Sequence, residues 1–383
     1  MQLKEFSFRE KNTGWNLSTS KFDTLTLLVG ASGVGKTKIL ESIETLKRIA
    51  IGDSYNGIVW DAFFYDKQIG RIRWEGSTEQ SKISFDQRQI PFTFPELESD
   101  EDKPEFNFEF EKMTINDEEV FIRDQSSSSY RGNKTVKLKQ GKSLLNLLQE
   151  DDVSQVKNIF EKNFNRNGAL YHPLSTNTLK SFEKFSSFDE IIKDTTASTT
   201  TKFFVAYSKY PDIFKTIKND FIEIFPFVED LRFGSPDALT TAKHNPAPDL
   251  RILQLKERDS KNWVCVWDFS SGMHKTLSLL ASIYLSAQNS IFLIDEFENS
   301  FGVNCIDMIT QKIALNPLGN QFILSSHHPY IINSIPVNKW RLVTRKKTNV
   351  NVVSVEDKIT SKSKHDAFIQ LINLDEFSDG IEI

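Results

Sequence analysis

A chain of 383 residues is long enough to bury two or three cores of its own. Its 47 Lys and Arg against 52 Asp and Glu leave a formal charge of −5, which excludes a global pull toward nucleic acid. Any DNA contact falls to a local basic strip such as Arg345–Lys347, read as a solvated strand end.

Two cysteines, Cys265 and Cys305, show no Cys-x-x-Cys spacing and suit small buried fillers in a reducing compartment. The N-terminus MQLKEFSFRE carries charges where a leader needs an apolar core, and no uncharged apolar run approaches the ~18 residues of a membrane span. The expectation is a soluble, cytoplasmic protein with no membrane partner.

The first strong signal is Thr24–Val29, an apolar, β-branched run that reads as a buried strand entering a turn at Gly30. Gly30-Ala31-Ser32-Gly33-Val34-Gly35-Lys36-Thr37 then fits G-x-x-x-x-G-K-[ST] in full. Glycines let successive backbone N–H groups turn inward on a phosphate, Lys36 reaches its β- and γ-phosphates, and the Thr37 hydroxyl holds Mg²⁺. Ile39, Leu40, Ile43, Leu46 and Ile49 recur at helical spacing, so a helix points its positive N-terminal end at the anion. ATP and Mg²⁺ are the expected ligands.

Antiparallel strands are expected within Lys82–Gln140, where Phe106, Phe108 and Phe110 alternate with polar residues. Glu96–Glu105 reads as an acidic loop between them, and Ser126–Tyr130 as a mobile turn. From Gly141 the pattern turns helical, with Leu144, Leu145, Leu147, Leu148, Val153, Val156, Ile159 and Phe160. Short helices follow to about Phe233, interrupted at Pro211 and Pro226, with Thr195–Thr201 as a polar link. No heptad persists, which argues against a long coiled coil.

In Trp267–Ala287, Ser270-Ser271-Gly272 opens a helix carrying Leu277, Leu280, Ile283 and Tyr284. Such a turn is an N-cap and equally an anion-binding device. Ile291–Ile294 is an uninterrupted apolar strand ending in Asp295-Glu296. Beside a phosphate-binding turn, Asp295 would hold Mg²⁺ while Glu296 orients and deprotonates the attacking water. Phe322–Leu324 is a further buried strand, delivering Ser325-Ser326-His327 to the same end of the sheet. A zinc site at His327-His328 is excluded, since neighbouring strand residues face opposite ways and nothing completes a ligand set. After Trp340 the tail reads as two strands and a short helix.

The order Gly30–Thr37, Phe269–Met273, Ile291–Glu296, Ser326–Pro329 resembles the SMC/RecF-like branch of ABC ATPases. Within it the chain is similar to the small bacterial AAA-family ATPases of anti-phage systems such as Septu, PARIS and retron-associated ATPases, and to the overcoming-lysogenization-defect family. The family signature L-S-[GS]-G-[QE] falls on Phe269-Ser270-Ser271-Gly272-Met273, departing at Phe269 and Met273. The D-loop falls on Asn299-Ser300-Phe301-Gly302 and the switch histidine on His327; Gln68, Gln80 and Gln140 compete for the Q-loop.

The resemblance implies an α/β P-loop NTPase, an ABC-type ATPase head with an antiparallel β subdomain and an inserted helical lobe. The expected division is 1–140 (P-loop and antiparallel strands), 141–235 (helical lobe) and 236–383 (signature, acid pair, switch histidine). Two copies would sandwich ATP head to tail, with Ser270, Ser271 and Gly272 acting in trans and Glu296 and His327 catalytic. The implied role is an ATP-hydrolysing sensor or regulator of a separately encoded effector, such as a nuclease, in anti-phage defence. The tail is too short for the nuclease domain of overcoming-lysogenization-defect proteins. A RecF-like ATPase clamping DNA in repair is the alternative, and a transporter subunit a distant third.

Overall fold

The computed structural model describes residues 1–81, 105–166, 170, 174–194, 197–235, 249–299, 301, 303–315, 318–361, 363–378 and 381–382. The strand expected in Lys82–Phe94, most of the acidic loop, the start of the threonine link, and Ser300 and Gly302 of the D-loop lie outside the described residues. Two compact units are present: Met1–Glu161 with Val337–Ser361 and Ile369–Ile383, and Lys162–Pro336 with Lys362–Phe368.

The chain starts with β1 (Gln2–Glu10), β2 (Asn16–Lys21), β3 (Leu25–Val29), α1 (Lys36–Ile51), β4 (Ile58–Asp66) and β5 (Gly70–Thr78). It continues through β6 (Phe108–Ile115), β7 (Glu118–Arg123), β8 (Ser128–Tyr130), β9 (Asn133–Lys134), α2 (Leu144–Leu147) and α3 (Asp151–Asn163). Next come β10 (Phe164–Arg166), β11 (Leu174–Ser175), α4 (Thr178–Ser181), α5 (Phe188–Lys193), α6 (Thr199–Lys209) and α7 (Pro211–Ile224). The strands β12 (Val228–Gly234), β13 (Leu250–Glu257) and β14 (Trp263–Cys265) lead to α8 (Ser271–Tyr284) and β15 (Ile291–Ile294). Then follow α9 (Val303–Leu315), β16 (Gln321–Ser325), α10 (Pro329–Ser334), β17 (Trp340–Lys346) and β18 (Asn349–Ser354). The tail ends in α11 (Lys364–Ile372), α12 (Asp375–Ser378) and β19 (Ile381–Glu382), one helix and one short strand more than the sequence pattern suggests.

In the first unit β3 lies parallel to β17, and β18 pairs antiparallel with β17 and parallel with β2. The order then runs β2-β1-β4-β5-β6-β7-β8-β9, antiparallel throughout. Asn116 and Asp117 both take positive φ (53° and 69°), the backbone of a tight hairpin turn that matches strand twist between β6 and β7. The inner face of the meander buries Trp60, Phe64, Trp74 and Phe108, and Phe160 of α3 packs edge-on against Phe64 and Trp74.

Among these aromatics Glu111 and Arg123 form a fully buried pair at 2.7 Å. Glu111 also accepts from Trp74 Nε1 (3.1 Å) and from the backbone N–H of Leu144 (2.7 Å), which anchors the start of α2. Arg123 in turn donates to the carbonyls of Lys139 (3.1 Å) and Lys142 (2.6 Å). That capture explains a departure from the sequence pattern. The stretch Lys134–Gln140 alternates like a strand, yet pairing stops at Lys134 and Val136 is 78% exposed, because the backbone beyond turns inward to satisfy the guanidinium. The serines expected as a mobile turn are organised by Asp124, which accepts from the N–H groups of Ser126 and Ser127 before β8 begins.

In the second unit β15 is parallel to β10 on one side and β16 on the other, and all four of its residues are buried. Two-sided burial is what the unbroken apolar run Ile291–Ile294 demands. The strands β12, β13 and β14 form an antiparallel set, with β11 on β13. The helices α6 and α7 pack with β12 through Phe203, Phe204, Phe214 and Phe233. Asp220 of α7 is buried because it is doubly paired: Tyr284 of α8 donates to it at 2.6 Å and Lys312 of α9 at 2.8 Å. Cys265 and Cys305 are buried thiols with no disulfide between them, and burial pushes the Cys265 thiol up to about 11.

Candidate functional site

The phosphate-binding turn sits at the C-terminal end of β3, and α1 starts at Lys36. Gly30 has φ +146°, and a Cβ there would stand 2.5 Å from the Val343 carbonyl of β17, so only glycine fits. Gly35 is left-handed (φ 107°) as the N-cap of α1 and makes no side-chain cap, so the first turn of α1 keeps N–H groups for an anion. Lys36 is buried, and its Nζ donates to the carbonyls of Gly30 and Ala31, each at 2.9 Å. The Ser32, Gly33 and Thr37 positions are exposed and Val34 is buried beneath the turn.

Two neighbours of this turn carry no motif. Trp15 is 4% exposed, lies 3.5 Å from where a Gly35 Cβ would sit, and holds Lys38 5.2 Å above its ring. Arg345 reaches the Gly33 carbonyl at 3.4 Å, so the basic strip read as a solvated strand end contributes one side chain to the P-loop, while Lys346 and Lys347 are exposed.

In the second unit the acid pair follows β15 directly. Asp295 is half-buried and Glu296 exposed. Ser325, at the end of β16, donates its hydroxyl proton to Asp295 Oδ1 and accepts the Glu296 backbone N–H at 2.9 Å. The Phe297 N–H donates to the Ser325 carbonyl at 2.9 Å. Asn299, the first residue of the D-loop pattern, donates its N–H to the Glu296 carbonyl (2.8 Å) and its side-chain amide to Glu296 Oε2 (3.3 Å).

Glu298 accepts the His327 backbone N–H at 2.8 Å and so holds the switch-histidine candidate beside the acidic segment. His327 is exposed at this point, whereas His328 is a local cap whose Nδ1 accepts from the Tyr330 N–H at 3.2 Å. The unit therefore brings Asp295, Glu296, Asn299 and His327 together.

The signature turn lies on the same unit. Ser270 caps α8, its Oγ accepting from the Met273 N–H at 3.3 Å, with Ser271 exposed and Gly272 half-exposed. Met273 is 7% exposed, so this side chain serves packing where the family pattern has a polar residue. Lys275, two residues on, donates to the carbonyls of Glu296 (3.3 Å) and Asn299 (2.5 Å). Burial lowers the pKa of its ammonium, and Glu298, Glu296 and Asp295 pull it back up.

Sequence reasoning did not assign roles to Trp15, Lys275, Glu298, Ser325 or Arg345. Ser325 carried a signal, a hydroxyl directly after the apolar run Phe322–Leu324, and Arg345 belonged to the basic strip read as a solvated strand end. Thr37 in the first unit and Asp295 in the second each present an oxygen of the kind Mg²⁺ prefers. Among the described residues no group of three or more His, Cys, Asp or Glu is gathered for a metal, and no helix is long and apolar enough to cross a membrane.

A family model described as "AAA domain, putative AbiEii toxin, Type IV TA system" matches residues 25–333. Among curated proteins none matches this chain. Of solved structures, an Smc head bound to the C-winged helix domain of ScpA aligns over 93% of this chain and 99% of its own, with 12% identity and TM-score 0.50. An Smc head domain with an extended coiled coil, bound to the C-terminal domain of ScpA derived from Pyrococcus furiosus, aligns over 93% and 97%, again with 12% identity and TM-score 0.50. At that identity the likeness is one of fold: an α/β P-loop NTPase of the ABC-ATPase head type, with an antiparallel β subdomain and an inserted helical lobe.

Proposed function

The chain belongs to the AAA domain family whose model spans residues 25–333, and on that premise we propose that it hydrolyses ATP at a site shared by two copies arranged head to tail. The observation that carries the reading is the complete phosphate-binding turn, with Gly30 and Gly35 in conformations that side chains disfavour and Lys36 at the start of α1. ATP would displace the Gly30 and Ala31 carbonyls from Lys36, whose ammonium then meets the terminal phosphates.

Thr37 and Asp295 would hold Mg²⁺, which when bound neutralises charge on the phosphates. Glu296 takes the proton of the attacking water, and His327, held by its backbone on Glu298, addresses the γ-phosphate. Ser270, Ser271 and Gly272 cap the γ-phosphate held by the other copy, through the hydroxyls and the helix N-terminus. The D-loop pattern, Asn299 and Ser300 in sequence, is assigned to that same junction by the resemblance.

The proposed biological role is a sensor or regulator in anti-phage defence, acting on a separately encoded effector such as a nuclease. The family's toxin–antitoxin description supports it. The binding of a ScpA domain to Smc heads supports a protein partner for this head as well. ATP-dependent, salt-sensitive binding of duplex DNA would instead favour the repair clamp.

Complementation tests the composite site. Ser270→Arg and Glu296→Gln chains are each expected to be inactive alone, since every site in either homodimer carries a defect. Mixed, they form one intact site from Glu296 of one copy and Ser270 of the other, and ATPase activity returns. Heterodimers that form without activity would sink the head-to-tail reading.

A further inference from the structure

Glu296 is a non-glycine residue at φ +43°, a left-handed conformation that costs free energy unless its surroundings impose it. Three elements do so. Ser325 of β16 takes its N–H, Asn299 returns an N–H to its carbonyl, and Lys275 of α8 donates to that same carbonyl. Lys275 also fixes the Asn299 carbonyl and sits 4.9 Å from the centre of the Phe301 ring, so one ammonium spans both ends of the Glu296–Asn299 turn. It does this from a half-buried position that costs solvation.

The signature turn and this lysine share one rigid helix: Ser270 is the N-cap and Lys275 follows within the first turns of α8. A shift of α8 beyond what the rotamers of this one side chain absorb therefore strains or breaks its bonds to the Glu296 and Asn299 carbonyls.

We infer that Lys275 is a positioning residue, coupling the signature helix to the Glu296–Asn299 turn so that the orientation of the base depends on where α8 sits. The inference rests on the reading of Glu296 as the base. It adds an intrachain link by which engagement of Ser270 with the partner copy's nucleotide is felt at the chain's own carboxylate. Lys275 itself touches no reacting atom; it acts through Glu296 and Asn299.

The test compares Lys275→Met, which keeps the length and packing of the side chain, with Lys275→Arg, which keeps donors for both carbonyls. Steady-state ATPase rates are measured with thermal midpoints and nucleotide affinity. Lys275→Met is expected to lower kcat by about 10- to 100-fold, the scale of a misplaced catalytic group, with KM for ATP and the thermal midpoint unchanged. Lys275→Arg should recover most of the loss. In the Lys275→Met, Glu296→Gln double variant the rate should be no lower than with Glu296→Gln alone, because the lysine works through that carboxylate.

Parental kcat in Lys275→Met with Glu296→Gln inactive overturns the coupling and leaves the base intact. A loss that Arg fails to rescue, or that adds fully to Glu296→Gln, also overturns it. Parental activity in Glu296→Gln removes the base reading itself and this inference with it.

Discussion

The phosphate-binding turn and the acidic segment both follow buried parallel strands, β3 and β15, yet they are held in opposite ways. The path of the P-loop is set mainly by its own backbone, although Arg345 reaches the Gly33 carbonyl from 312 residues away. Its glycines set the curvature, and Lys36 bonds to carbonyls only 6 and 5 residues back. The acidic segment is shaped by side chains from elsewhere in the chain: Ser325 lies 29 residues from Glu296, and Lys275 lies 21 away. A locally built cradle should tolerate changes around it and fail when its own residues change. A segment held from outside should be tunable by residues that never meet the nucleotide.

The largest expected effect breaks the acidic side alone. Glu296→Gln keeps shape and hydrogen bonding, including the Asn299 amide contact after rotation of the carboxamide, but cannot take a proton. ATP and Mg²⁺ binding should be retained while hydrolysis falls by ~10²–10⁴-fold, as for loss of a general base. The ATP-bound assembly should persist on gel filtration. Hydrolysis at the parental rate would place the base elsewhere.

On the other side of the comparison, Lys36→Ala removes charge-assisted contacts to the phosphates. Nucleotide affinity should drop by about 10- to 100-fold, corresponding to about one hydrogen bond to a charged group. The turn itself should survive, since Gly30 and Gly35 rather than Lys36 dictate its path. Isothermal titration with a non-hydrolysed ATP analogue reads this directly, and parental affinity would refute the phosphate-cradle assignment.

The same contrast explains what the sequence made legible. Gly30–Thr37 could be read in full because its chemistry needs only neighbours in sequence, and Ile291–Ile294 because two-sided burial leaves an unmistakable apolar run. Lys275 could not be found that way. On α8 it looks like any polar residue of an amphipathic helix, and its acceptors are backbone carbonyls, which every sequence possesses. Arg345 was hidden for a related reason: a basic strip at a strand end looks solvated until β17 is known to run parallel to β3. Lys134–Gln140 misled in the other direction, since a strand-like alternation there is overruled by a buried guanidinium that needs carbonyls.

The smallest expected effect sharpens the comparison at Ser325, which is 2% exposed and contacts the acid pair only through its hydroxyl. Ser325→Ala leaves the Glu296 N–H without its acceptor and takes a proton donor from Asp295. The loss of one such buried partner is worth about 1–3 kcal/mol. Part of it is absorbed by the remaining bonds from Asn299 and Lys275, so kcat should fall by roughly 5- to 10-fold, near the lower end of that range. Because Asp295 loses orientation as well, the Mg²⁺ concentration for half-maximal rate should rise, whereas Lys275→Met leaves it unchanged. A Ser325→Ala enzyme with parental kcat and parental Mg²⁺ dependence would mean that the turn after β15 keeps its shape unaided, and the contrast between the two regions would then be one of sequence distance alone.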